Sequence, residues 1–285
     1  MAHRLLFVCL LLSPSLADAG VFEGFAGVRS SAMGGAQRGV GSSNEAIYLN
    51  PASMAAFQRF GIDMELAYEK PQNLRRMRIT AVDSKTSPMA AGVGYETIDH
   101  AEGLPTLKRT SIAVAYPLGE LVYFGSTGHY IKGSRTHGDE ETEFELFNAD
   151  LGLTLNLSDV LQLGMSWHNV METDERALAP ESMGFGVAAG TDVLVGAFDV
   201  RLVEDSSGNR ETTYHAGAEL FLGGAMAVRL GYINQPASAS GGEGGHVLSG
   251  GGAYVTKTGA LAFSMQRALT EGAPWTLAGA LKFFM

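Results

Sequence analysis

Leu161-Gln162-Leu163-Gly164-Met165-Ser166-Trp167-His168 alternates apolar residues with polar or small ones at every step. Successive side chains on an extended strand point to opposite sides. Leu161, Leu163, Met165 and Trp167 therefore share one face, and Gln162, Gly164, Ser166 and His168 share the other. The same rhythm returns at Met226, Val228, Leu230 and Tyr232, at Leu151, Leu153 and Leu155, at Ile62, Met64, Leu66 and Tyr68, and at Trp275, Leu277, Leu281 and Phe283. From residue 61 to the end the pattern predicts fourteen strands: 61–69, 74–83, 88–97, 108–117, 120–132, 145–156, 160–170, 181–189, 192–203, 211–222, 225–234, 246–256, 260–268 and 274–284. None of them needs a helix.

One apolar face per strand fits a soluble antiparallel sheet or a transmembrane barrel. Three features favour the barrel. Each segment runs about ten residues, the length that crosses a bilayer at a tilt, whereas soluble strands average about five or six. Connections alternate between tight (84–87, 118–119, 157–159, 190–191, 223–224, 258–259) and longer (99–106, 133–143, 171–180, 204–210, 235–245). Outer-membrane barrels sort their loops this way, short on the periplasmic side and long outside. With odd strands running outward, Tyr68, Tyr95, Tyr130, Trp167, Tyr214, Tyr232 and Trp275 all fall near the external end, and Tyr116, Phe124 and Phe283 near the periplasmic end. Aromatic belts belong at both membrane interfaces. The expected fold is an all-β transmembrane antiparallel barrel of about fourteen strands.

Composition agrees. The chain has 285 residues, 46% apolar and 18% charged. No run of 18 apolar residues occurs, which excludes a helical membrane transporter. With 20 basic and 30 acidic residues the net charge is −10, so no basic stripe exists for nucleic acid. Glycine is abundant, 37 of 285 residues, against about 7% on average. Gly92, Gly94, Gly152, Gly164, Gly217 and Gly231 fall on the faces opposite the apolar ones, where a backbone inside the barrel must pass close.

Residues 1–19 read as a signal peptide: a basic start to Arg4, an apolar run from Leu5 to Leu12, and Ala17-Asp18-Ala19 as a cleavage pattern. Cys9 is the one cysteine, so the mature chain enters an oxidising compartment without disulfides. The expected location is the outer membrane of a Gram-negative bacterium. Residues 20–60 do not follow the strand rhythm. They are rich in Gly, Ala and Ser, and Asn50 is placed to cap a short helix with Pro51 at its first position. A fourteen-strand barrel leaves an aqueous hole unless plugged. The segment is expected either to fill the lumen as a hatch or to extend into the periplasm, with residues 61–285 forming the barrel.

Met33-Gly34-Gly35-Ala36 followed by Asn50-Pro51-Ala52, ahead of alternating strands, resembles the FadL-type outer-membrane transporters and their PorV-like relatives. Arg229-Leu230-Gly231-Tyr232 resembles a late strand of the same family. The resemblance implies a hatch carrying the Asn-Pro-Ala motif and passive passage of fatty acids or other hydrophobic molecules through a gap in the wall. By the same resemblance, the PorV-like alternative is a non-transporting scaffold for secretion or surface assembly. This chain is shorter than the family pattern, and its external loops are polar and acidic, notably Asp139, Glu140, Glu141 and Glu143. These acids could bridge cations to outer-membrane lipid or simply be solvated. The final Lys282-Phe283-Phe284-Met285 suits the terminal aromatic signal read by barrel-assembly machinery, displaced by one residue.

Candidate ligand or hatch residues are Asn50, Pro51 and Ala52, with Gly92 and Gly94 as a possible kink in the third strand. Glu65 is expected to face Arg76 or Arg78, and Asp199, Arg201, Glu219 and Arg229 lie on strands nine to eleven. All are costly against lipid and belong inside. They either pair to hold hatch and wall together or guide an amphipathic solute. The seven histidines show no metal-ligand spacing, no cofactor motif is present and no enzyme is expected. Ser166 lacks the second glycine of a nucleophile elbow. Serine, histidine and aspartate from different strands could still converge in the lumen as a hydrolase.

Overall fold

The computed structural model describes residues 25–41, 43–71, 73–99, 106–137, 140–173, 178–204, 209–236, 244–270 and 274–285, without the side chains of 135–142. The signal peptide, residues 20–24 and Asp139 lie outside the described residues, as do the side chains of Glu140 and Glu141. Three short helices come first: α1 (Val28–Ala32), α2 (Ala46–Leu49) and α3 (Ser53–Ala56). Fourteen strands follow: β1 (Phe60–Lys70), β2 (Leu74–Asp83), β3 (Ala90–Asp99), β4 (Leu107–Leu118), β5 (Val122–His137), β6 (Glu140–Ser158), β7 (Leu161–His168), β8 (Ser182–Gly190), β9 (Leu194–Glu204), β10 (Arg210–Leu222), β11 (Met226–Gln235), β12 (Gly245–Val255), β13 (Gly259–Ala268) and β14 (Trp275–Phe284). Each strand pairs antiparallel with its sequence neighbours, and β1 closes on β14 in the register Leu66↔Gly279. Closure removes every sheet edge, as a membrane-spanning sheet requires.

The alternation sorts the two faces as read. Met64, Leu66, Val228, Leu230, Leu277 and Phe283 stand exposed on the outside, while Asp63, Glu65, Arg76, Arg78, Glu219 and Arg229 are buried within. An apolar outer band of this extent belongs in lipid. No helix of the described residues is long and apolar enough to cross a membrane.

One expected loop is a different structure. Residues 133–143, read from the sequence as an external loop, continue the ladder: β5 runs 16 residues and β6 19, paired as far as His137↔Glu140. The hairpin projects beyond its neighbours. Polar residues there cannot be told from a loop by composition, but cross-strand pairs support them. Lys132 Nζ lies 2.8 Å from Glu143 Oε2. That hydrogen bond holds the exposed Glu143 carboxyl below its ordinary range.

Residues 25–41 and 43–57 lie inside the barrel. Val28, Ala32, Met33, Ile47, Asn50 and Met54 are wholly buried. The wall makes room with glycine. A Cβ on Gly92 would stand 2.9 Å from Met54 Sδ, one on Gly152 2.9 Å from Pro51 Cδ, and one on Gly217 2.8 Å from Met33 Cβ. Tyr48 crowds Gly94 in the same way, Arg38 crowds Gly164, and Met33 and Gly34 crowd Gly231. All six inward glycines singled out in the sequence therefore serve one purpose, which is to let a folded segment approach the wall backbone.

Candidate functional site

The inner segment is held by its own charges and by wall carboxylates. Gly27, at φ 150, lets the chain turn into α1. Glu65 and Glu45 then accept the first amides of that helix: Val28 N at 3.1 Å from Glu65, and Arg29 N and Ser30 N at 2.9 and 2.7 Å from Glu45. Orphan N–H groups at a helix start favour such anions. Lys282 Nζ bridges Asp63 (2.9 Å) and Glu45 (3.4 Å), tying the last strand to the first and to the segment. Arg29 donates through Nε and a terminal nitrogen to the two Glu219 oxygens at 3.1 and 2.5 Å, and Arg229 donates to the same carboxylate. Asp199 accepts from the Gln37 and Arg38 amides at 3.0 and 2.9 Å and pairs with the Arg38 guanidinium at 3.3 Å.

Asn50 closes α2 and, with extended backbone, opens the turn through Pro51 into α3, its carbonyl accepting from Ser53 N at 3.1 Å. Its Nδ2 donates to Arg38 O (3.0 Å), Leu153 O (3.1 Å) and Thr154 Oγ1 (3.0 Å), latching the segment to β6. Its Oδ1 accepts from Ala52 N at 3.3 Å, and Pro51 and Ala52 lie against Gly152 and Gly125. The motif Asn50-Pro51-Ala52 thus reaches wall carbonyls that no local rule could locate.

A second correction concerns β3. Its register with β2 and β4 is unbroken across Gly92 and Gly94, so no β-bulge interrupts the strand there. The register shift among the described strands falls between Asn156 and Ser158, at the β6–β7 turn. Space for Ile47, Tyr48 and Met54, not backbone bending, accounts for the two glycines.

The inward faces of β2–β6 are layered at the two-residue period. Leu74, Ile98, Leu107, Ile131 and Leu146 form an apolar tier toward the external end, closed by Leu178 and Ala179. Two residues deeper stand Arg76, Glu96, Arg109 and His129. Glu96 receives three guanidiniums: Arg76 at 2.8 Å, Arg78 at 2.7 Å and Arg109 at 2.6 Å. Arg78 also lies 3.5 Å from Glu65, the partner expected from the sequence. Tyr48 of the inner segment inserts between Arg78 and Arg109, whose guanidinium carbons lie 4.3 and 4.4 Å from its ring centre. Glu96, Arg109 and Tyr48 were missed by sequence reading. Their inward parity was legible, but their convergence depends on register.

Ser111, His129, Asp150 and His168 form a chain on β4–β7. Ser111 Oγ lies 2.8 Å from His129 Nδ1, and Asp150 Oδ2 lies 2.8 Å from His129 Nε2 and 2.9 Å from His168 Nδ1. Ser166 instead accepts from Arg38 Nε at 3.1 Å. Ser111 is fully buried, and a cavity of about 30 Å³ lies beside His129. In this arrangement the array works as a latch between strands, with one carboxylate orienting two rings. That cavity is lined by apolar Leu49, Ile131, Leu178 and Ala179 and by Arg38, Arg109 and Arg201 among its polar residues. Arg201 also lines a second lumen cavity, of about 120 Å³, with His215 and Gln266.

A closed fourteen-strand barrel with an apolar exterior, a charged lumen and a folded segment inside it defines an outer-membrane barrel of the plugged type. Its solved neighbours share that fold. The CymD monoaromatic hydrocarbon channel superposes with a TM-score of 0.73 at 15% identity, over 91% of this chain and 97% of that one. The Ralstonia pickettii toluene transporter TbuX gives 0.66 at 12% identity, over 90% and 97%. A Pseudomonas aeruginosa FadL homologue gives 0.63 at 10% identity, over 90% and 97%. The chain has the FadL-type barrel fold. No family model and no curated protein matches the sequence.

Proposed function

We propose that this barrel passes an amphipathic solute, an apolar body with an anionic head such as a fatty acid, passively across the outer membrane. One observation carries the reading: Ile131 of the apolar tier, with Leu178 and Ala179 that close it, lines one lumen cavity together with Arg38, Arg109 and Arg201. A pore for purely polar solutes has no use for an apolar lining at its mouth. Binding sites for amphipathic ligands pair an apolar wall with a few placed charges. Solved barrels of the same fold include hydrocarbon channels and a FadL homologue, which supports a hydrophobic cargo. On this reading residues 20–60 are the hatch, residues 61–285 the barrel, and Asn50, Glu65, Asp199 and Glu219 hatch anchors. Residues 1–19 direct export, and the terminal strand is read by the barrel-assembly machinery.

Proteoliposome uptake tests it. A fluorescent long-chain fatty acid should enter faster than its methyl ester, and deletion of residues 25–57 should open ionic conductance. Entry of no lipophilic probe, together with no conductance after deletion, defeats the transport reading. The projecting β5–β6 hairpin favours a second reading, a surface scaffold of the PorV kind. Pull-down from intact outer membrane separates the two: a stoichiometric secreted partner lost on shortening the hairpin supports the scaffold.

A further inference from the structure

Where β13, β14 and β1 meet, the outer face of the barrel is dented. Gly279 stands at an outward position between Leu66 of β1 and Phe263 of β13, its direct partners in register. Tyr68, Met265 and Leu277 continue the walls of a groove of about 850 Å³ that opens to the lipid. Leu66 and Phe263 are among the most exposed apolar side chains of the wall, at 64% and 63%. Every other outward position of β14 carries a side chain.

Above the groove, on the same face and toward the external end, lies a ring of cations. Register places Lys70, Trp275 and Arg267 in one row, and Arg75, Tyr68, Leu277 and Met265 in the next row down. Tyr68 and Trp275 pack edge to face at 5.9 Å, and Lys70 Nζ lies 5.6 Å from the Tyr68 ring centre. Arg75 itself lines the groove. Asp99 is the acid that faces this group across the ladder, opposite Arg75. Among the described residues, three cations face one carboxylate on these rows. The rim at β5–β6 differs, since Lys132 there is matched by Glu143 and Glu145. On a chain with a net charge of −10, a positive cluster set at the lipid headgroup level over an apolar groove is a specific arrangement.

We propose that this groove holds one lipid of the outer leaflet with a phosphorylated headgroup, an acyl chain lying over Gly279 and the phosphate held by Lys70, Arg75 and Arg267. Guanidinium and ammonium groups near a membrane surface recognise lipid phosphate, and a missing side chain beneath them gives an acyl chain a seat. Tyr68 and Trp275 supply the amphipathic wall that interfacial aromatics provide. The site stands apart from the lumen, so it holds whether or not the barrel conducts.

Native mass spectrometry of the full-length protein in detergent tests it, with bisphosphorylated lipid A titrated against its phosphate-free analogue. The expected result is one retained phosphorylated lipid per barrel, at least tenfold preferred over the analogue. The triple variant K70Q/R75Q/R267Q should lose that preference. Gly279→Phe should lower retention at least tenfold by filling the groove. A Cβ at position 279 meets nothing nearer than Ala262 O at 3.9 Å, so this variant keeps the barrel fold, checked by heat-modifiable mobility. Equal retention of the two lipids, or unchanged retention in both variants, overturns the proposal. So does a dimer mass that Gly279→Phe abolishes, since the groove would then seat a second copy.

Discussion

Two tiers of the same lumen, one step of the β-ladder apart, are built for different tasks. The outer tier, with Leu74, Ile98, Leu107, Ile131 and Leu146, is apolar. The inner tier, with Arg76, Glu96, Arg109 and His129, is charged and engages the inner segment through Tyr48. The strands and the parity are common to both, so position along the strand alone separates them. The apolar tier is open to replacement by a ligand, because it is held by packing. The charged tier is not, because each buried charge needs its partner. Removing one member of a buried ion pair costs about 3–5 kcal/mol.

Four substitutions can break or sharpen that contrast. The largest effect is expected at Glu96. Glu96→Gln leaves Arg76, Arg78 and Arg109 around a neutral amide and should destabilise the barrel by about 3–5 kcal/mol, read from urea unfolding in micelles. If it is neutral, the charged tier is not what seats the segment. Asn50→Ala removes the two N–H donations of Nδ2, shared among Arg38 O, Leu153 O and Thr154 Oγ1, and the bond Oδ1 accepts from Ala52 N, for about 3 kcal/mol at roughly 1 kcal/mol each. It should also produce brief openings in single-channel recordings, from a loosened plug. At the outer tier, Ile131→Thr removes the terminal methyl group and puts a hydroxyl into the apolar layer. A stability loss of about 1 kcal/mol is expected there with a roughly tenfold fall in fatty-acid uptake. Undiminished uptake would detach the apolar tier from the solute. Lys132→Ala, on the exposed hairpin, should change neither unfolding nor uptake, because an exposed ion pair is screened by water. A clear loss in either assay would assign the hairpin a role in the barrel.

Much of this was legible in the residue order. Outward Leu230 and inward Arg229 follow from parity, and the Glu219–Arg229 and Glu65–Arg78 pairs follow once consecutive strands are placed side by side. Gly92 and Gly94 show the limit. Glycine on an inward face says that something comes close or that the strand bends, and only the position of Tyr48, Ile47 and Met54 decides for close approach. Residues 133–143 show another, since a polar run reads as a loop until its cross-strand partners are known.

Sequence alone determined the alternation and the direction of each side chain, because these depend on a period of two and on the cost of charge in lipid; ring closure at fourteen strands, and the segment's place within them, came from the tertiary structure. Tertiary structure decided which charges meet. Glu96 collects three arginines from β2 and β4, Asp150 orients two histidines, and Arg75, Lys70 and Arg267 come together only where β14 closes on β1. Such groupings depend on register and closure, and these are properties of the whole ring of strands that no single segment carries.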